Sequence, residues 1–394
     1  MSPPGLSPLT RRALASASGD YMARDLVELQ RMQQRLQEGQ IGHIWRFDVG
    51  SNTDGFSPLA RDLFDSGFLA EMLDIYLREY PDNHYELLRR GLARRYDVEP
   101  ECFVLGAGLE SIIDHIARAF LSPGEECLIP IPNFSLYEDY SLRQGATVRT
   151  VPMQTLGPWS EADLQRLEAA MQAHHPRLLW ISHPINPLGC ALPMTVLERL
   201  VTLAAATGTA VVIDEAYGEY IDPDEAPCSC ARLLAAHPHL MVLRTFSKIY
   251  GLPNLRVGVF MSANPEYRRG VLAYRPTFPL SWFSLYTCQL ALLDDDWLIE
   301  ARSRLSRRKP LVEAGLDALT GFERLPSQVN TIMFRHRRIP AAEVQHRLAD
   351  HGVLVANLDQ VSGIQNQGWL RMTVRSEADN AVFLAACAAI STDD

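Results

Sequence analysis

Four stretches of this chain combine an amine, a carboxylate, a phenol, an amide and a glycine turn. They are Gly106-Ala107-Gly108-Leu109-Glu110-Ser111, His183-Pro184-Ile185-Asn186-Pro187-Leu188-Gly189, Asp214-Glu215-Ala216-Tyr217, and Thr245-Phe246-Ser247-Lys248 followed by Gly251 and Arg256. Each has an ordinary reading when taken singly. The glycine stretch is a tight turn, Asn186-Pro187 a rigid one, Asp214 a helix cap or ion-pair partner, and Lys248 a side chain snorkelling to the surface. Yet each directly follows an apolar run, and in open α/β sheets ligands gather at the carboxyl ends of the strands. A helix opening behind Gly108 adds free amides and a positive end, which favour a phosphate.

Four successive strand ends carrying this set by accident is the poorer explanation. An amine can form an imine, an acid can hold a pyridine nitrogen protonated, and an amide and a phenol can donate to a ring oxygen. With a polar phosphate cup, these are the groups that a pyridoxal 5'-phosphate site requires.

The elements that must position them are legible as well. From about residue 100, short apolar runs alternate with helix-length segments: Cys102–Leu105, Cys127–Ile129, Thr147–Val151, Leu178–Ile181, Ala210–Ile213, Met241–Leu243 and Val257–Met261. The pattern predicts an α/β fold with a seven-stranded, mostly parallel sheet covered by helices. Behind Gly108, residues Ile112, Ile113, Ile116, Ala117 and Phe120 recur on one helical face. Long helical patterns run from about Ser284 to Leu319. Strands near Thr331–Phe334 and Leu370–Val374 then predict a second, smaller α+β domain. The Ser-, Pro- and Ala-rich residues 1–20 predict a loose arm, followed by a polar helix around Asp25–Glu38. The expected division is 1–70 for the arm and part of the small domain, 71–290 for the large cofactor domain, and 291–394 for the rest of the small domain.

A chain of 394 residues, 47% hydrophobic, can bury a large core. Its net charge of −10 argues against a nucleic-acid partner, and no uncharged apolar run approaches the length of a membrane span. The seven cysteines lack metal-ligand pairing apart from Cys228 and Cys230, which two ordinary thiols explain better than zinc. No metal site is expected, and reduced thiols without a secretory signal suggest the cytoplasm.

Further motifs complete the picture: Tyr80-Pro81-Asp82, Pro132-Asn133-Phe134-Ser135-Leu136-Tyr137, Arg275-Pro276-Thr277-Phe278 and Leu370-Arg371-Met372-Thr373-Val374. With the strand-end motifs, and from about residue 45 onward, the chain resembles the fold type I aminotransferases of class I and II. The resemblance is strongest to the branch containing histidinol-phosphate aminotransferase and threonine-phosphate decarboxylase. It implies that Lys248 is the Schiff-base lysine and proton carrier, that Asp214 pairs with the pyridinium nitrogen, and that Asn186 and Tyr217 donate to the ring oxygen. It implies that Phe134 stacks on the cofactor ring. The implied phosphate cup comprises the amides of Leu109 and Glu110, the hydroxyls of Thr245 and Ser247, and Arg256. Tyr80 is implied to reach the site of a partner subunit, in a homodimer with shared sites. Arg371, with Asn52, is implied to bind the substrate.

The expected reaction is amino transfer between an α-amino acid and a 2-oxo acid. Decarboxylation, elimination or cyclisation on the same cofactor is the alternative. His183, Ile185 and Leu188 depart from the pattern of many relatives, and Ala356 falls where relatives handling phosphorylated substrates commonly carry a second arginine. One guanidinium, Arg371, suffices for a carboxylate, whereas a buried phosphate dianion needs more compensation. The expected substrate is therefore an amino acid with a free carboxylate rather than histidinol phosphate, with Arg375 as the residue that could substitute for the missing cation.

Overall fold

The computed structural model describes residues 10–11, 23–65, 67, 77–221 and 229–392. Most of the expected loose arm, and Cys228, lie outside these residues. Strand β1 (Trp45–Arg46) precedes the large sheet, whose strands are β2 (Phe103–Ala107), β3 (Glu126–Ile131), β4 (Thr147–Pro152), β5 (Leu178–Ser182), β6 (Ala210–Asp214), β7 (Leu240–Thr245) and β8 (Val257–Met261). They lie in the order β2-β8-β7-β6-β5-β3-β4, and only β8 runs antiparallel to its neighbours. Each of the seven apolar runs forms one strand.

Every residue of β5, β6, β7 and β8 is buried, so these strands read as continuous apolar runs, as expected of a sheet covered on both faces. Alternate side chains feed two cores. Leu179, Ile181, Val211 and Ile213 pack on one face, and Leu178, Trp180, Val212 and Met241 on the other. The helix Gly108–Phe120 buries Ile112, Ile113, Ile116, Ala117 and Phe120, the face that the periodicity indicated.

A four-stranded antiparallel sheet, β12-β13-β10-β9, is built from β9 (Phe322–Arg324), β10 (Thr331–His336), β12 (Ala356–Asn357) and β13 (Leu370–Thr373). The short β11 (Val353–Leu354) pairs in parallel with β1, and the N-terminal helix Ala23–Gln37 packs on β11, β12 and the helix Ala341–Asp350. The helical pattern expected from Ser284 to Leu319 divides into Trp282–Leu293 and Asp295–Asp317. The break has a local cause: Asp294 Oδ1 accepts from Trp297 N at 3.1 Å as an N-cap, while its Oδ2 accepts from Ser57 Oγ at 2.5 Å. Among the described residues no helix is long and apolar enough to cross a membrane.

Candidate active site

The strand register brings the motifs together. Ser182 pairs with Asp214 across β5 and β6, and Asp214 with Leu243 across β6 and β7, so three adjacent carboxyl ends deliver Asn186, Asp214 and Lys248 to one side of the sheet. On β8, Gly258 pairs with Thr245, and Val257 with Ala107, which carries the glycine turn to the same place.

These ends surround a cavity of about 430 Å³. Lys248, Asp214, Tyr217, Asn186, Phe134 and Arg371 line it. The expected phosphate-cup residues Leu109, Glu110, Thr245, Ser247 and Arg256 line it as well.

Asp214 is fully sequestered, and burial pushes its carboxyl up to about 6 against the pull of its hydrogen bonds and of Lys248. Its Oδ1 accepts from Ala216 N at 2.9 Å and its Oδ2 from Tyr137 Oη at 2.7 Å. A buried carboxylate held between neutral donors is short of a positive partner, and a protonated ring nitrogen would supply one. Tyr137 was not singled out from the sequence. It is buried, stacked on Trp180 with ring centroids 5.0 Å apart, and edge-on to Phe134 at 5.5 Å. In the sequence it is legible only as the last residue of the motif Pro132–Tyr137, without a role of its own, and it falls in the first turn of the helix Ser135–Arg143.

Lys248 Nζ lies 4.8 Å from the centre of the Tyr217 ring. Burial alone would raise the Tyr217 phenol, but the charges of Lys248 and Arg371 and a hydrogen bond to Lys248 outweigh it and bring the pKa below its ordinary value. The loop bearing Tyr217 is clamped from behind. Arg244, buried on β7, meets Glu215 at 2.7 Å and Glu219 at 3.0 Å, and a Cβ on Gly218 would lie 2.3 Å from its guanidinium. In front, a Cβ on Gly50 would lie 2.2 Å from Tyr217 Oη, so only glycine lets that backbone close over the phenol.

Asn186 Oδ1 accepts from Arg371 Nη1 at 3.0 Å, which leaves the amide's NH₂ as the available donor. Arg371 Nη2 donates to the Asp48 carbonyl at 3.3 Å, while its buried Nε has no hydrogen-bond partner among the described residues. At the cup, Gly108 has φ +80°, and a Cβ there would come within 2.3 Å of the Arg256 guanidinium. A Cβ on Gly258 would strike the Gly108 backbone at 2.5 Å. Arg256 itself takes φ +53°, a left-handed conformation in which a non-glycine residue is strained. Thr245 Oγ1 lies 3.0 Å from Ser247 Oγ and accepts from Ser247 N at 3.1 Å. Glu110 turns its carboxylate to Tyr140 Oη at 2.9 Å, so that its side chain is tied down outside the helix start. A glycine-lined hollow with free amides, two hydroxyls and a guanidinium fits a phosphate monoester.

Three residues named from the sequence stand apart from the main cavity. Asn52 donates from Nδ2 to the Ile249 carbonyl at 2.9 Å and accepts at Oδ1 from Asp54 N at 3.0 Å, and it does not line the main cavity. It borders a smaller neighbouring cavity with Arg375. Tyr80 lines neither cavity; it is 80% exposed and stacks on Phe278 at 4.6 Å. Arg375, the suggested substitute cation, is held by Asp379 at 3.0 Å and the Arg46 carbonyl at 2.9 Å and does not line the main cavity. Asp25 and Asp48, which do line it, carried no sequence signal.

Comparison with known proteins agrees with this construction. The family model for aminotransferase class I and II matches residues 75–390. The chain is 33% identical over 347 residues to histidinol-phosphate aminotransferase 1 of Dechloromonas aromatica (strain RCB), covering 88% of this chain and 90% of that one. Its fold is shared with the histidinol-phosphate aminotransferase of Sinorhizobium meliloti solved in complex with pyridoxal-5'-phosphate, at TM-score 0.79 and 22% identity over 98% of both chains. It is shared with L-threonine-O-3-phosphate decarboxylase from Porphyromonas gingivalis at TM-score 0.69 and 23% identity, over 87% of this chain and 98% of that one. With a family match over most of its length and a strand-end site of the matching chemistry, the chain belongs to the class I and II aminotransferases and is a pyridoxal 5'-phosphate-dependent enzyme.

Proposed function

We propose that this aminotransferase acts on an α-amino acid bearing a free carboxylate, passes the amino group to a 2-oxo acid, and does not take histidinol phosphate as its natural substrate. The observation that carries this reading is the surroundings of Arg371. Its buried Nε has no partner among the described residues, and one guanidinium is enough for a carboxylate. Its cross-strand neighbour is Ala356, and the cavity lining also holds Asp25 and an Asp48 already paired with Arg46. A phosphate dianion there would face the Arg371 guanidinium beside the Asp25 carboxylate.

When bound, the cofactor supplies an electron-accepting ring that stabilises negative charge at the substrate's α-carbon. The chain's own residues do the rest. Lys248 anchors the cofactor through its amine and, once released, carries the α-proton. Asp214 keeps the ring nitrogen protonated, and Tyr137 and Ala216 hold that carboxylate in place. Asn186 and Tyr217 donate to the ring oxygen, Phe134 covers the ring, and Leu109, Glu110, Thr245, Ser247 and Arg256 hold the phosphate. Arg371 orients the substrate through its carboxylate.

Further parts of the reading are a homodimer in which Tyr80 serves the partner's site, a cytoplasmic location, and a division into residues 1–70 with 291–394 against 71–290. The pairing of β1 with β11 and the exposed Tyr80–Phe278 pair support the domain division and the dimer.

The deciding measurement is kcat/KM for histidinol phosphate against a panel of amino acids, with 2-oxoglutarate or pyruvate as acceptor. A clear preference for the phosphate ester overturns the substrate reading. Release of carbon dioxide or ammonia without keto-acid formation overturns transfer. Borohydride reduction followed by mass spectrometry tests the anchor, since an adduct on any lysine but Lys248 displaces the assignment.

A further inference from the structure

Asp25 sits on the N-terminal helix Ala23–Gln37, far in sequence from every strand end, yet it lines the catalytic cavity and is only 6% exposed. Its Oδ1 accepts twice, from Gln345 Nε2 at 2.8 Å and from the Asn357 amide at 3.1 Å. Among the described residues nothing donates to Oδ2. Asn357 directly follows Ala356, the cross-strand partner of Arg371, so the carboxylate and the guanidinium sit on the same wall. They do not pair with each other. Arg371 is committed to Asn186 and the Asp48 carbonyl, and the other nearby acid, Asp48, is held by Arg46 through two bonds of 2.7 Å.

A carboxylate that lines a cavity, with one oxygen taking no donor among the described residues, is open to a donor from a bound molecule. Burial pushes the Asp25 carboxyl up to about 6, even though Asn357 and Gln345 pull it down. Along the cavity, then, the guanidinium of Arg371 can take an anion and Oδ2 of Asp25 a donor, with Arg371 acting on the Asp25 charge only through space. An aliphatic side chain would leave Oδ2 without a donor, and an acidic one would add repulsion. A cationic nitrogen would supply the donor.

We propose that Asp25 is a specificity-determining residue, whose Oδ2 receives a cationic nitrogen (ammonium, guanidinium or imidazolium) at the far end of the substrate's side chain. The inference rests on the reading that Arg371 holds the α-carboxylate. It narrows the substrate to basic amino acids.

The test uses the cofactor-loaded enzyme and compares lysine, ornithine, arginine and histidine with norleucine, which matches lysine in shape without its nitrogen, and with glutamate. The wild type should favour at least one basic amino acid over norleucine by tenfold or more in kcat/KM. In Asp25→Asn that ratio should fall about 10- to 100-fold, mainly through KM. Calorimetric binding of α-methylornithine, which lacks the transferable proton, should weaken in parallel. A wild type that prefers norleucine or glutamate overturns the proposal while leaving amino transfer intact. So does an Asp25→Asn enzyme that loses activity equally on all substrates, the mark of a merely structural residue. If α-methylornithine binding depends on Asp25 but no amino acid yields a keto acid, amino transfer falls and the recognition role stands. Should Asp25→Asn fail to fold, the wild-type ranking alone decides.

Discussion

Tyr137 Oη donates a 2.7 Å hydrogen bond to Asp214 Oδ2, and both groups are buried. The bond favours the ionised acid, opposing the burial that raises it. A phenol on one helix thus tunes the carboxylate at the end of β6. Tyr137→Phe should keep the fold, because the ring still stacks on Trp180. It should lower kcat by roughly tenfold, the scale of a lost hydrogen bond to a charged group. Asp214→Ala should cost on the order of a hundredfold or more. Steady-state kinetics on both variants checks the order. A Tyr137→Phe enzyme with wild-type kcat would show that the bond is incidental.

The raised carboxyl of Asp214 also makes a stability prediction for the cofactor-free protein. Its folded pKa is about 6 against an ordinary 3.8, so between these the native state holds a proton that the unfolded chain has released. That contribution is full below pH about 4 and is lost as pH rises through about 6. Asp214→Asn lacks the titration. Its melting temperature relative to wild type should therefore rise between pH 4 and 7, by an amount reflecting on the order of 2 to 3 kcal/mol. A difference independent of pH would mean that Asp214 is not the buried acid described. Asp25, raised to about 6 as well, should give Asp25→Asn the same trend.

Gly258 lets β8 approach the turn at Gly108, with no room for a Cβ between them. Gly258→Ala must push the Gly108–Leu109 backbone out of place, and those are the amides proposed to hold the phosphate. Cofactor affinity should drop about tenfold or more while the sheet persists. Titration of the cofactor-free variant, read by visible absorbance, decides. Gly124→Ala is the contrast: its Cβ meets nothing within 4 Å, although its φ of +89° adds local strain, so it should leave cofactor affinity near that of wild type.

Tyr80 and Phe278 form a stacked, exposed pair away from their own chain's cavity. In a shared-site homodimer, Tyr80→Phe and Lys248→Ala subunits should complement when mixed, because one of the two sites then has both an intact lysine and an intact tyrosine. Activity rising several-fold above the Tyr80→Phe parent is the expected result. No recovery, with the Tyr80→Phe parent clearly impaired, would put Tyr80 in its own site or in none.

The strand-end groups were readable because each is contiguous with the strand that carries it. Once β5, β6 and β7 were recognised as neighbouring apolar runs, Asn186, Asp214 and Lys248 had to fall at one edge of the sheet. Local periodicity likewise placed the helix behind Gly108 and its buried face. What the chain order could not reveal were contacts set by packing between distant elements. Tyr137 meets Asp214 because the helix Ser135–Arg143 sets its ring against Trp180 of β5 and its hydroxyl on the end of β6, and Asp25 reaches Gln345 and Asn357 across more than 300 residues. Asn52 shows the same limit: the resemblance implied a substrate ligand, and packing sets its Nδ2 on the Ile249 carbonyl, a contact across 197 residues. Cofactor chemistry is written in short segments because backbone turns create it. Substrate selection is decided by side chains from separate elements, whose meeting depends on how the two sheets and the N-terminal helix pack together.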